Sequence, residues 1–186
     1  MQAKRSAVKL PPLGGKKVTV TQLAKDVLFL LSKRPKLLDV ENGSYFRIEE
    51  DINEQVNKTN QINDLQDALR LSAMKCEVCA LGAFFVAKVL RKDACAYSDD
   101  IYRNVISNHL KSIISPEQMG LIEAAFEKDS ASSSAPYEVV REAVDFGHKY
   151  YDSKSRLKAI CQNIIDNRGV FRPGTKPKSP RSNGCL

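Results

Sequence analysis

Only two histidines occur in the chain, His109 and His148, and neither stands beside a serine elbow or an acidic partner at motif spacing. That removes the local signatures of nucleophilic hydrolases and leaves each histidine expected as a surface or boundary residue. A Cys-His hydrolase stays open only because triad partners need not be close in sequence, and nothing marks which cysteine would serve. No stretch approaches the roughly 20 apolar residues that cross a bilayer. The longest apolar run, Val78 to Val89, is broken by Gly82 and Lys88. The basic N-terminus is not followed by the apolar region of a secretory signal. Five cysteines make an odd count, and only Cys76 and Cys79 are near each other, which does not read as a disulfide framework. A reducing compartment, the cytoplasm, is therefore expected, with no membrane association. There is no phosphate-loop motif and no internal repeat. The acidic clusters Glu49-Glu50-Asp51 and Asp99-Asp100 stand alone, at expected helix starts, where the helix dipole stabilises negative charge by about 0.3–1 kcal/mol each. No cofactor is expected.

What the chain does have is a lopsided charge. The formal balance of +7 over 186 residues comes from the ends. Residues 1–17 carry Lys4, Arg5, Lys9, Lys16 and Lys17 with no acid; residues 172–186 carry Arg172, Lys176, Lys178 and Arg181 with no acid. Residues 18–171 hold 20 basic against 22 acidic side chains and are close to neutral. Both ends are rich in proline, glycine and serine and bury too little apolar surface to offset the ordering cost of about 1–2 kcal/mol per residue. The expected organisation is a basic unfolded tail over 1–17, a helical domain over 18–171 and a second basic tail over 172–186.

Within the domain, periodicity predicts a mainly α-helical fold: one compact unit of six to seven helices. Thr21 is placed to cap a helix whose inward face is Leu23, Val27, Leu30 and Leu31, with Pro35 ending it. Asn42-Gly43, in a short segment over 37–48, suits the tight turn of a small β-hairpin. A thin stripe of Ile52, Val56, Ile62, Leu65 and Leu69 predicts a helix over about 62–71. Cys76 to Leu90 is the most apolar segment and is expected to be the central helix, with Gly82 allowing a close approach at the core. Ser98-Asp99-Asp100 reads as a helix start before Ile101, Val105, Ile106 and Leu110. Ser115-Pro116-Glu117-Gln118 reads as a capping box with proline at the first helical position, leading to Met119, Ile122, Ala125 and Phe126 on the inward face. Another helix should begin near Pro136, with Tyr137, Val140, Val144 and Tyr151 on or near one face. Ser153 is placed to cap the last helix, whose inward face is Leu157, Ile160, Cys161, Ile164 and Ile165. Gly169 fits the left-handed position after it, Phe171 folds back, and Pro173 releases the chain.

Three stretches carry a resemblance: Cys76-Glu77-Val78-Cys79-Ala80-Leu81-Gly82-Ala83-Phe84-Phe85, Gln118 to Glu127, and Asn163-Ile164-Ile165-Asp166-Asn167-Arg168-Gly169-Val170-Phe171-Arg172-Pro173. The chain resembles small uncharacterised proteins of bacterial and phage genomes over residues 20–173, tails excluded. No activity attaches to those proteins, so the resemblance implies none.

Three kinds of function follow from these residues. A non-catalytic binding or regulatory protein, meeting another protein through its helical body, fits the poverty of catalytic groups. A nucleic-acid-associated protein would use Lys154, Arg156, Lys158 and Arg168 of the last helix with the tail cations as one basic end. A metal- or thiol-dependent protein would centre on Cys76 and Cys79. That pair, at i and i+3 in an apolar helix, is expected to pack as small hydrophobes rather than to ligate.

Overall fold

The computed structural model describes residues 10, 17–48, 64–70, 74–91, 95–96, 98, 100–130 and 133–174. Glu49-Glu50-Asp51, the stripe positions Ile52, Val56 and Ile62, Asp99, and the tail cations Lys4, Arg5, Lys9, Lys16, Lys176, Lys178 and Arg181 lie outside the described residues. The fold is mainly α, with seven helices and three short strands among the described residues. These are α1 (Val20–Lys33), β1 (Leu38–Val40), β2 (Phe46–Ile48), α2 (Leu65–Leu69), β3 (Cys76–Val78), α3 (Ala80–Leu90), α4 (Arg103–Leu110), α5 (Pro116–Glu127), α6 (Tyr137–His148) and α7 (Ser153–Asp166).

Helix α3 is the centre. Ten of its eleven residues are buried, and it packs against α1, α2, α4, α5 and the sheet. A helix apolar on all sides has to be covered on all sides. Its start differs from the sequence expectation: Cys76 to Val78 form a strand, and the helix begins only at Ala80. The reason lies in the pattern itself. Cys76, Glu77 and Val78 alternate buried, half-buried, buried, the period of a strand.

That strand also corrects the expected hairpin. β1 and β2 form where a sheet was anticipated, but they do not pair with each other. β3 lies between them, parallel to β1 and antiparallel to β2, in the order β1-β3-β2. An isolated two-stranded hairpin is marginal, and inserting a third strand gives the ladder two sides of bonding. Leu38, Val40, Phe46, Ile48, Cys76 and Val78 face the core, while Asp39, Glu77 and Arg47 form a row on the outer face. Arg47 and Lys75 pair there with Glu77 and Asp39 at 3.8 and 3.3 Å. The five residues from Glu41 to Tyr45 are therefore not a hairpin turn. They cross the end of β3, with the Glu41 N–H donating to the Val78 carbonyl at 3.0 Å.

The helix boundaries follow local capping. Thr19, not Thr21, caps α1 by accepting from the Gln22 N–H at 3.2 Å. Ser115 caps α5 as expected. The Gln118 side chain does not complete the capping box, because its Oε1 accepts the Phe171 N–H at 2.7 Å. Asp152, one residue before Ser153, caps α7. α4 starts at Arg103, after the expected 98–100 start. α2 is only five residues long and capped by Asp64, shorter than the expected 62–71 helix. The inward faces of α1 and α5 are buried as read from periodicity. α6 differs: Val140 is buried, but Tyr137 and Tyr151 stand in solvent at 71% and 101% exposure. Tyr137 is the first residue of α6, and Tyr151 lies past its end, just before the Asp152 cap of α7.

Two close approaches set the packing. A Cβ on Gly82 would lie 1.7 Å from the Tyr45 carbonyl oxygen, and one on Gly147 would lie 2.0 Å from that of Ala125. The first was anticipated as a tight contact and the second was not. At the C-terminal end of α7, Arg168 and Gly169 both take positive φ, 57° and 98°, and the Gly169 N–H returns to the Ile164 carbonyl. Asn163 then grips the departing chain: its Oδ1 accepts the Arg172 N–H at 2.8 Å, and its Nδ2 donates to the Arg172 carbonyl at 2.9 Å. Phe171 is buried edge-on against Phe146, and Pro173 is buried as well, so the packed body runs past the expected boundary at 171.

Candidate functional site

The first turn of α4 shapes a cleft of about 360 Å³, walled by Cys95, Ala96, Ile101, Tyr102, Val105 and His109, with Ser98 and Asp100 at its edge. The local sequence explains its apolar lining. Ile101, Ile106 and Leu110 turn inward and are buried. Tyr102, at the cap of α4, receives the Val105 and Ile106 N–H groups on its backbone carbonyl, and its side chain points outward, 68% exposed. Val105 sits beside it, 38% exposed. His109 packs edge-on to Phe85 at 5.3 Å, and its carbonyl accepts from Lys88 Nζ. It is a boundary residue, as expected, whereas His148 is exposed at the end of α6.

The body also holds a set of buried and half-buried polar groups that periodicity alone does not reveal. Glu123 on α5 is 4% exposed and takes both prongs of Arg103, at 2.9 and 2.6 Å. The Tyr45 phenol hydrogen-bonds the same carboxylate; burial, then the Glu123 charge, push it up to about 12. The hydrogen bond to Glu123 raises the Arg103 guanidinium in turn. One turn on, Glu127 accepts the Gly43 N–H at 3.2 Å; burial raises its carboxyl, and the neighbouring Glu123 adds to that. Asp26 on α1 is fully buried and paired with Arg91. A signal for these was present. Asp26 falls among Leu23, Val27 and Leu30, and Glu123 among Met119, Ile122 and Phe126, on core-facing positions where an acid requires a partner.

The structure separates the residues nominated for metal or thiol chemistry. Cys76 points into the core from β3, and Cys79 is the residue joining β3 to α3, so they share no helix face. Both are buried, and neither is in a disulfide. Burial pushes Cys79 up to about 12, against the lowering effect of the Leu81 and Gly82 amides; burial likewise raises Cys161. Among the described residues, no three His, Cys, Asp or Glu side chains gather in a metal-binding arrangement.

The described basic residues of the last helix do not form one face. Arg156 is 1% exposed, not on a surface: it donates to the Phe126 carbonyl, to Asn42 Oδ1 at 3.1 Å and to the Tyr150 and Tyr151 carbonyls at 3.4 Å, with Phe126 beneath it. The cause is its position on α7, one step from Leu157 and four from Ile160, within the inward face. Lys154 lies at the start of α7, near Asp152 and Glu41. Lys158 is exposed midway. Arg168 lies at the other end, about 21 Å along a helix of this length, where it shares a cleft of about 290 Å³ with Lys17, Thr19, Thr21 and Ser112. Arg172 is exposed, and its backbone is held by Asn163.

No helix is long and apolar enough to cross a membrane among the described residues. No protein-family model, curated protein or solved structure matches this chain.

Proposed function

We propose that the chain is a non-catalytic binding or regulatory protein whose helical body meets another protein at the α4 cleft. The observation that carries this reading is the pairing of Tyr102 and Val105. Of the five large apolar side chains exposed among the described residues, these two line this cleft, and Tyr137, Tyr151 and Val170 do not. Exposed tyrosine beside an apolar recess is the kind of surface that anchors a partner. The non-catalytic half draws support from the buried carboxylates, since Asp26 and Glu123 are both held by guanidinium groups. The four described cysteines form no disulfide with one another, which favours a reducing compartment such as the cytoplasm. Co-purification from the native host tests the proposal, comparing the wild type with Tyr102→Ala/Val105→Asp and with Lys17→Ala/Arg168→Ala. The partner should be lost from the first variant and kept by the second. Loss of nothing from the first, with its fold intact, would sink the reading.

A nucleic-acid-associated role is the second reading, favoured by the meeting of Lys17 and Arg168 in a cleft lined by no acid. On this reading Lys17 and Arg168 contact one phosphate backbone. Binding of a short duplex should then weaken steeply with salt. It should vanish on removing residues 1–16 and 175–186 together with Lys17→Ala and Arg168→Ala. Unchanged binding would exclude it.

A further inference from the structure

Building on the reading of the α4 cleft as a protein-binding surface, we propose that the partner segment it takes pairs an apolar side chain with a neighbouring lysine or arginine. The wall of the cleft just before α4 is extended chain. An antiparallel bridge joins Asp100 to Arg47, the Ile101 N–H donates to the Phe46 carbonyl at 3.0 Å, and Tyr102 has φ −82° and ψ 162°. Side chains alternate along such a backbone, so Asp100 and Tyr102 share one face and Ile101 takes the other. Exposure follows that alternation: Ile101 is buried, while Asp100 and Tyr102 stand in solvent. A carboxylate and a phenol ring are thereby set side by side at the mouth of an apolar recess.

The charges around this mouth pair off and leave one over. The bridge carries the outer row of the sheet on from Asp39, Glu77 and Arg47 to Asp100. Lys75 pairs with Asp39 at 3.3 Å. Arg47 stands opposite Asp100, yet it leans the other way, onto Glu77 at 3.8 Å. Arg103, next along the chain, forks onto Glu123, and the Lys88 ammonium donates to the His109 carbonyl. Asp100 is left with no ion pair among the described residues. It is also the only carboxylate in the lining, which holds no lysine or arginine. An incoming cation therefore meets an uncommitted carboxylate, and the ring face of Tyr102 attracts the same charge. An acidic side chain would be repelled at that place. Past these two groups, Ala96, Ile101 and Val105 offer no polar side-chain atom, so the residue beside the cation has to be apolar to gain by burial.

The test is selection from a random linear peptide library displayed on phage, with the full chain as bait. Peptides that bind the wild type and not Tyr102→Ala/Val105→Asp should carry lysine or arginine close to a large aliphatic or aromatic residue. By calorimetry, the best of them should bind Asp100→Lys about tenfold more weakly than the wild type, because an attraction becomes a repulsion. Its analogue with glutamate in place of the cation should show the opposite preference. Tyr102-dependent peptides without a basic residue, or an Asp100→Lys variant that binds as the wild type does, would overturn this inference and leave the cleft reading standing. No Tyr102-dependent peptide at all would overturn both. Asp100 is exposed, so its replacement should fold. Should it not, salt titration of the wild type decides: affinity for the basic peptide should fall as salt is raised, and an unchanged affinity would refute the pairing.

Discussion

The carboxylate of Asp26, buried without solvent contact on α1, receives two hydrogen bonds from the Arg91 guanidinium just past the end of α3, each 2.7 Å long. Gln22 adds a third at 2.9 Å. The pair ties the first helix to the central one across 65 positions of sequence. Breaking a buried pair strands the remaining charge at a cost of about 3–5 kcal/mol. Asp26→Asn and Arg91→Met should each lose stability on that scale in urea denaturation. The double variant Asp26→Leu/Arg91→Met should lose much less than the two singles together, since neither charge is then stranded. Additive losses would show that the two side chains act independently.

Glycine-to-alanine changes normally favour a helix by up to about 1 kcal/mol. At Gly82 and Gly147 the sign should reverse. The obstacle in each case is a backbone carbonyl, which cannot swing aside as a side chain can. Gly82→Ala and Gly147→Ala should each lose about 2 kcal/mol or more, measured by chemical denaturation. Gain of stability in either would mean the neighbouring backbone yields freely.

Asn163 replaces a strand partner for Arg172, accepting from its N–H and donating to its carbonyl. Asn163→Ala removes both bonds and should lose about 1–3 kcal/mol. Limited proteolysis should then cut sooner after Phe171. An unchanged cleavage rate would show that Phe171 and Pro173 hold the segment by themselves.

Glu127 makes stability depend on pH. Burial raises its carboxyl above the ordinary value of 4.5, so the folded state favours the protonated form. The stability this group supplies is therefore fully present below the unfolded value and declines as pH rises through the folded one. Glu127→Gln, which still accepts from Gly43, should gain on the wild type as pH is raised from 4 to 7. Thermal melts across that range test it; a gap that narrows or stays flat contradicts the assignment.

Much of the helical architecture was legible because one-sided burial writes itself into spacing. The inward faces of α1 and α5 are the clearest instances, and the Gly169 stop with Phe171 folding back is another. The sheet was legible only in part. Three-residue strands carry too little alternation to announce a partner, and the partner of both β1 and β2 comes from a segment whose apolar character merges with that of α3. Solvent exposure at helix ends, as for Tyr137 and Tyr151, depends on which neighbour reaches that turn. The basic face failed as a surface feature for a related reason: Arg156 counts as a cation in composition, yet its position on α7 points it at the carbonyls closing α5 and α6. The cleft beside α4 is invisible in sequence, since it is space left between α4 and the segment before it.

Strand order has a consequence for the way this chain is made. β1 and β2 are synthesised well before β3, and neither has a mate until residues 76–78 arrive. Joining Ile48 to Cys76 closes a loop whose chain entropy is on the order of 3 kcal/mol, so the ladder should register late, after α3 has found α1. The three strands then work as a clasp between the early and later parts of the chain. A polypeptide nicked anywhere between residues 48 and 76 should remain assembled as two complementary fragments, each holding part of one sheet.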